Sequence, residues 1–371
     1  MSQSLSRAST GELSGAQGRR AVSDGARDGC PQRFLVTGDG ARAARRILVL
    51  GGTGTIGRAT VVALVARGHE VVCLVRRQSR DGDGLSRDGV AGWLHGAEVR
   101  LCDVTSPTSV AVHGLRDEGF DAVVSCLASR TGEPRDAWAV DYQAHMNVLS
   151  LAKASGVAQM VLLAAICVQK PRLAFQHAKL AFEKALVDSG LIYSIVRPTA
   201  YFKSLAGQVD RVRQGKPFLV FGDGRLTACK PIGEADLAAY LADCLEQASL
   251  KDKVLPIGGP GPAITPIEQG EHLFRVLARP PRFKRVPVSL LSSVAALLGG
   301  VGKFVPPLAA KAELARIGHY YATESMLVLD PKTGRYDDAA TPETGADTLH
   351  AYYRRVIDGR ETIERGDHAV F

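Results

Sequence analysis

Ile47-Leu48-Val49-Leu50-Gly51-Gly52-Thr53-Gly54-Thr55-Ile56-Gly57-Arg58 runs from a short apolar strand, through glycines at 51, 54 and 57, into a helix-forming segment. Strand, glycine loop and helix in that order form the context in which a glycine triplet holds a dinucleotide. Gly51 allows the tight turn, Gly54 the approach of backbone to a pyrophosphate, and Gly57 the packing of helix on sheet. Thr53, Thr55 and Ile56 complete the loop. The helix amino end offers N–H groups and a positive dipole to phosphate.

Outward from this loop, short β-branched apolar runs alternate with amphipathic segments, the pattern of a Rossmann-like, doubly wound parallel α/β sheet with helices on both faces. Strands are expected at Ile47 to Leu50, Glu70 to Val75, Glu98 to Leu101, Ala122 to Cys126, Gln159 to Leu163 and Tyr193 to Val196. Helical patterns fall near 55–67, 107–117, 135–155 and 174–189, and Gly68, Gly119, Gly156 and Gly190 stand where helices should end. After Pro198 the rhythm breaks into turns and isolated helices, with Pro217, Gly222 to Gly224 and Gly258 to Pro262. That half reads as a smaller substrate-binding region laid over the carboxyl edge of the sheet.

At the end of the second strand an NAD-preferring site carries an acid, whereas this chain has Arg76 and Arg77. Guanidinium groups there favour the 2′-phosphate of NADPH. Asp103, after the third strand, is expected on the adenine side, with capping of the helix near Pro107 as its alternative. Ser125, ending the fourth strand, is expected to face the cofactor, or else to be a buried turn residue. The chain divides into three parts: a disordered extension over 1–44, an NADPH-binding domain over 45–204, and a region over 205–371 that partly completes the sheet.

The glycine spacing, the strand order and the helix bearing Lys179 resemble the extended or atypical branch of the short-chain dehydrogenase/reductase superfamily over roughly residues 46 to 260. Usual members carry a tyrosine four residues before the lysine, on the same helical face, as a proton donor. Here Phe175 stands in that position, and Ala164 and Ala165 stand where a serine is expected. Lys179 keeps a role toward the nicotinamide ribose and is the one catalytic candidate, with pairing to Glu183 as the alternative. Pro198 is expected beside the nicotinamide.

A narrower resemblance rests on Leu162 to Pro171, Phe175 to Leu180, Arg197 to Ser204, Phe221 to Gly224, Cys229 to Ile232 and Leu255 to Gly261. These stretches are similar to the NADPH-dependent, metal-free family of divinyl chlorophyllide 8-vinyl-reductases. The resemblance implies hydride transfer to the 8-vinyl group of a magnesium chlorin, divinyl chlorophyllide a or its protochlorophyllide, in chlorophyll or bacteriochlorophyll synthesis. No carbonyl oxygen is protonated in that reaction, so the missing tyrosine becomes intelligible. The residues identify no single proton donor: water or the macrocycle's own chemistry stands ahead of Lys179 and His177. Tyr201, Phe202 and Lys203 are expected to stack on and pair with the pigment, with packing as the alternative for Phe202, and Lys230 or the basic turn at 282–285 to meet the same carboxylate. Cys167 and Cys229 read as buried structural thiols, and His319 as a packing residue. The magnesium belongs to the substrate, and no metal site of the protein's own is expected.

Composition sets further bounds. The chain has 371 residues, 46% of them hydrophobic, a formal net charge of +8, and seven cysteines in no metal-binding pattern. No nucleic-acid partner is expected. Glu12, Asp24, Asp28 and Asp39 make the arginine- and serine-bearing N-terminus read as a bacterial tail rather than a transit peptide, placing the protein in a bacterial cytoplasm, with a chloroplast as the alternative. Val286 to Gly302 is apolar but too short to span a bilayer, and the basic run from Arg279 to Arg285 before it suits peripheral membrane contact or a solvated turn. A competing class is a non-catalytic NADPH-binding regulator or pigment-protein assembly factor; a third is a reductase of another alkene.

Overall fold

Ile47, Leu48, Val49 and Leu50 are all wholly buried, and successive residues feed opposite cores. Ile47 and Val49 join a cluster with Val61, Leu64, Leu237 and Leu241, while Leu48 and Leu50 join one with Val148, Met160, Phe182 and Leu186. A strand that is apolar on both faces belongs in the middle of a sheet covered by helices on both sides.

The computed structural model describes residues 43–76, 92, 94, 96–302 and 306–362. The extension expected over 1–44 lies almost wholly outside the described residues, and Arg77 lies outside them too. The described fold belongs to one unit, Ala44–Phe371. Six strands follow the expected order: β1 (Arg46–Leu50), β2 (Glu70–Val75), β3 (Ala97–Leu101), β4 (Ala122–Ser125), β5 (Gln159–Leu163) and β6 (Ile192–Pro198). Two further strands, β7 (Phe218–Phe221) and β8 (Lys253–Ile257), come from the C-terminal half, and β8 joins the main sheet. The seven-stranded order is β3-β2-β1-β4-β5-β6-β8, parallel at every pairing. The strand order reverses beside β1, where α/β sheets open a crevice at their carboxyl edge.

Helix α1 (Thr55–Ala66) covers one face together with a helix from the C-terminal half, Glu234–Glu246. On the other face lie a helical stretch ending in His145–Ala154 and the helix Ala174–Val187. The helix after β3 ends differently from expectation. Its last turn is π-helical, and Arg116 and Asp117, not Gly119, take the positive φ angles, 57° and 55°. A third core gathers Phe202, Phe218, Leu273, Tyr352 and Tyr353, where β7 pairs with β9 (Phe283–Val286). Both halves of the chain therefore build one body around the carboxyl edge.

Candidate active site

Gly51 leaves β1 with φ +71°, and a Cβ there would sit 2.7 Å from the backbone of Cys126 and Leu127. At Gly57 a Cβ would stand 2.0 Å from the Gly51 carbonyl oxygen, so the helix start is in direct contact with the turn. Gly54 differs: it is exposed, and its only close neighbour would be that same oxygen at 3.4 Å. Gly54 also stands at the N-cap of α1, where it has no side chain to bond the helix amino end, and the first turn carries no acid. An open glycine above unsatisfied N–H groups is a cradle for phosphate. Arg76 is exposed directly after β2.

Asp103 is exposed after β3. Its carboxylate accepts from the Thr105 amide (3.0 Å) and hydroxyl (2.7 Å), and the helix is capped instead by Ser106, whose hydroxyl accepts from the Ser109 amide. Ser125 requires a correction. It is fully buried, and its side chain faces the helix layer, 2.8 Å from His145 Nε2, rather than an open cleft. The reason is strand alternation: Val124 faces the α1 side, so Ser125 must face the other.

Under Ser125 lies a polar network that sequence reasoning missed. His145 Nδ1 is 2.9 Å from the Val140 carbonyl, which can only accept, so Nδ1 carries the hydrogen and Nε2 accepts from Ser125. Burial, with the Lys179 charge nearby, pulls the His145 imidazole down to about 4. Asp141 is buried and accepts from the Ser129 hydroxyl (2.6 Å) and from Lys179 Nζ (2.9 Å). Burial alone would push its carboxyl up, but the Lys179 ammonium and the Ser129 hydroxyl outweigh it and hold the carboxyl below its usual range. Lys179 is thus aimed by Asp141, not by Glu183, which pairs with Arg197. A small cavity beside Lys179 is lined by Asp141, His145, Leu162, Leu163, Ala164 and Phe182. His177 is exposed on the same helix. The network was illegible because residues 125, 129, 141, 145 and 179 carry no common spacing.

Phe175 packs among Cys167, Leu173, Ile317 and Tyr320, an apolar setting that suits a ring without a hydroxyl. The Cys167–Pro171 segment is a docking strip for the C-terminal helix Pro306–Thr323 and the residues just beyond that helix. Tyr320 donates to the Cys167 and Lys170 carbonyls at 2.8 and 3.0 Å, Gln169 bonds the backbone at Leu327 and Leu329, and Lys170 pairs with Glu324 at 2.7 Å. The segments Cys229–Ile232 and Leu255–Gly261 likewise meet: a Cβ at Gly259 would lie 1.9 Å from the Pro231 carbonyl oxygen.

Of the residues expected on the pigment, Tyr201 is half-buried against the α1-side core with Cys126. Three others move. Phe202 is wholly buried against Tyr352, ring centroids 5.4 Å apart, so it cannot stack on a ligand. Lys230 is 5% exposed and its ammonium is neutralised by Glu343 (2.6 Å) and Asp338 (3.1 Å), which leaves nothing for a substrate carboxylate. Lys203 reaches the glycine loop instead, its Nζ 2.8 Å from Thr55 Oγ1. Pro198 ends β6, buried, in register with Ile257.

A glycine cradle at the switch point of a parallel sheet, with a carboxylate-aimed lysine beside it, defines a dinucleotide-binding fold of the extended short-chain dehydrogenase/reductase type. A family model described as NAD(P)H-binding matches residues 51–248. Among curated proteins the chain is 49% identical over 331 residues to the chloroplastic divinyl chlorophyllide a 8-vinyl-reductase of Zea mays, spanning 88% of this chain and 82% of that protein. It therefore belongs to the divinyl chlorophyllide a 8-vinyl-reductase family. The photosystem II assembly factor Ycf39 of Synechocystis is more distant, 26% identical over 58% of this chain and 62% of its own length. Among solved structures, an NADPH-dependent quinone oxidoreductase from Escherichia coli complexed with NADPH shares the fold, with a TM-score of 0.61 at 20% identity over 84% of this chain and 99% of that one.

Proposed function

We propose that the chain reduces the 8-vinyl group of divinyl chlorophyllide a, or of divinyl protochlorophyllide a, to an 8-ethyl group with NADPH. The observation that carries this reading is the 49% identity, over 88% of the chain, with a reductase of that name. NADPH, when bound, supplies the hydride, and one proton completes the ethyl group. A vinyl group conjugated to the macrocycle accepts hydride at its outer carbon because the negative charge spreads into the ring. No oxygen then needs an acid, in keeping with Phe175 in the place of a tyrosine.

In this reading the Gly51–Gly57 loop, with Thr53, Thr55 and Ile56, holds the pyrophosphate. Arg76 and Arg77 meet the 2′-phosphate, Asp103 borders the adenosine, and Pro198 borders the nicotinamide. Lys179, held by Asp141, binds the nicotinamide ribose and so positions the ring for transfer. Tyr201 faces the pigment. Water supplies the proton, since Lys179 is committed to Asp141 and burial keeps His145 neutral. The setting is a photosynthetic cell: a bacterial cytoplasm or, as for the plant relatives, a chloroplast. Among the described residues no helix is long and apolar enough to cross a membrane. Peripheral contact with a membrane is supported by Leu290, Val294 and Leu297, which are exposed at helical spacing on Val288–Gly302 just beyond exposed Lys284 and Arg285.

The test is conversion of divinyl chlorophyllide a by the purified chain with NADPH, followed by chromatography of the pigment. NADPH-dependent formation of the 8-ethyl product is expected. Binding of NADPH without conversion, under conditions where a plant reductase works, would reject the reading in favour of a non-catalytic relative. In the same assay Arg76→Ala should raise KM for NADPH about tenfold and leave that for NADH nearly unchanged. Equal effects on the two would remove Arg76 from the 2′-phosphate site.

A further inference from the structure

The geometry points to Lys203 as a pyrophosphate ligand of the dinucleotide, delivered to the glycine loop from the segment after β6; the inference rests on the reading of that loop as the dinucleotide site. Lys203 Nζ lies 2.8 Å from the hydroxyl of Thr55, the first residue of α1. That position is the amino end of the helix, above the exposed Gly54, where the phosphates of a dinucleotide rest on backbone N–H groups. A glycine loop and a helix dipole supply partial charges only, whereas a pyrophosphate carries two full negative charges. A lysine ammonium within reach supplies a full positive charge and up to three donors.

The backbone beneath the lysine is fixed, so the side chain arrives at a defined place. The Phe202 amide donates to the Ile232 carbonyl at 3.2 Å, and the Ile232 amide returns a bond to Ala200 at 2.9 Å. The Phe202 ring is wholly buried, and the Lys203 amide donates to Glu234 Oε1 at 3.2 Å. Glu234 opens the helix Glu234–Glu246, which packs on α1 itself, so the strut holding Lys203 is tied to the helix that Lys203 meets. The acceptor in this contact is the Thr55 hydroxyl, and an ammonium with three donors can bond a phosphate oxygen as well.

A pyrophosphate ligand and a 2′-phosphate ligand leave different signatures. Pyrophosphate is common to NADPH and NADH and absent from adenosine 2′-monophosphate, which retains only the group that Arg76 would recognise. The full chain, Lys203→Met and Lys203→Arg would each be titrated calorimetrically with those three probes, and the unliganded melting temperature of each recorded. Lys203→Met should weaken NADPH and NADH by about tenfold each, leave adenosine 2′-monophosphate within about twofold, and flatten the salt dependence of NADPH binding; Lys203→Arg should recover most of the loss. NADPH binding within about twofold of the unsubstituted chain would overturn the assignment. So would an equal loss for adenosine 2′-monophosphate, or a melting temperature lowered enough to explain the loss. Failure of the unsubstituted chain to bind NADPH would instead overturn the dinucleotide reading, and this inference with it.

Discussion

Burying a histidine more deeply than its nearby carboxylate can compensate makes the protein sensitive to acid. His145 is 1% exposed, packs 4.7 Å from the Phe182 ring, and is held neutral down to about pH 4 against an ordinary value of 6.5. Between those values the unfolded chain binds a proton that the folded chain refuses, so stability is complete above about pH 6.5 and is lost as pH falls toward 4. The whole span is worth on the order of 3 kcal/mol. His145→Gln should flatten the decline in melting temperature from pH 7 to pH 5; an unchanged slope would show that other groups control it. At the same scale the glycines were legible, since a turn pressed against Cys126 and a helix start pressed against Gly51 leave no room for a side chain. The partners of Lys179 and Lys203 were not. A lysine's reach covers several elements, and which acid or hydroxyl it finds depends on how those elements stack.

Among the elements, the helix Ala174–Val187 shows how a distinctive sequence segment acquires its reason. Gln176 is wholly buried: its carbonyl oxygen accepts from the Arg172 and Leu173 amides at 2.7 and 2.9 Å, and its amide donates to the Cys167 carbonyl at 3.2 Å. One side chain therefore caps the helix that carries Lys179 and fastens it to the Cys167–Pro171 strip. Gln176→Leu keeps the volume and strands the Arg172 and Leu173 amides, while the Cys167 carbonyl keeps its bond from Tyr320, so it should destabilise by about 2 kcal/mol in denaturant unfolding. A change below about 0.5 kcal/mol would mean that water replaces the bonds. The six strands of the first half were readable because five of them are largely apolar runs and β3 alternates Ala97, Val99 and Leu101 with Glu98 and Arg100, and each ends at a turn. β8 was not, because Lys253-Val254-Leu255-Pro256-Ile257 lies at the sheet edge with its first two residues exposed and so lacks that signature.

At the scale of the whole molecule, the C-terminal half both closes the sheet and presents a surface of its own. Lys230 ties to Asp338 and Glu343, and Tyr320 to Cys167, so chain segments more than a hundred residues apart hold the pocket edge together. Outside that edge stand Leu290, Val294 and Leu297, at 52%, 37% and 71% exposure, close in sequence to the basic strand β9. The chain should co-sediment with vesicles containing anionic lipid, less so at high salt, and the double substitution Leu290→Asp with Leu297→Asp should abolish binding without lowering reduction of detergent-solubilised pigment. Equal binding to neutral and anionic vesicles would remove the basic strand from the contact. By itself the sequence determined six strands of the sheet, the glycine cradle and the family, because those rest on local periodicity and on residues adjacent in the chain. Only the tertiary structure decided that Ser125 turns inward to His145, that Phe202 and Lys230 belong to the interior, and that Lys203 stands over the phosphate end of α1. Each of these depends on which partner comes within about 3 Å once distant segments pack, and no spacing along the chain records that.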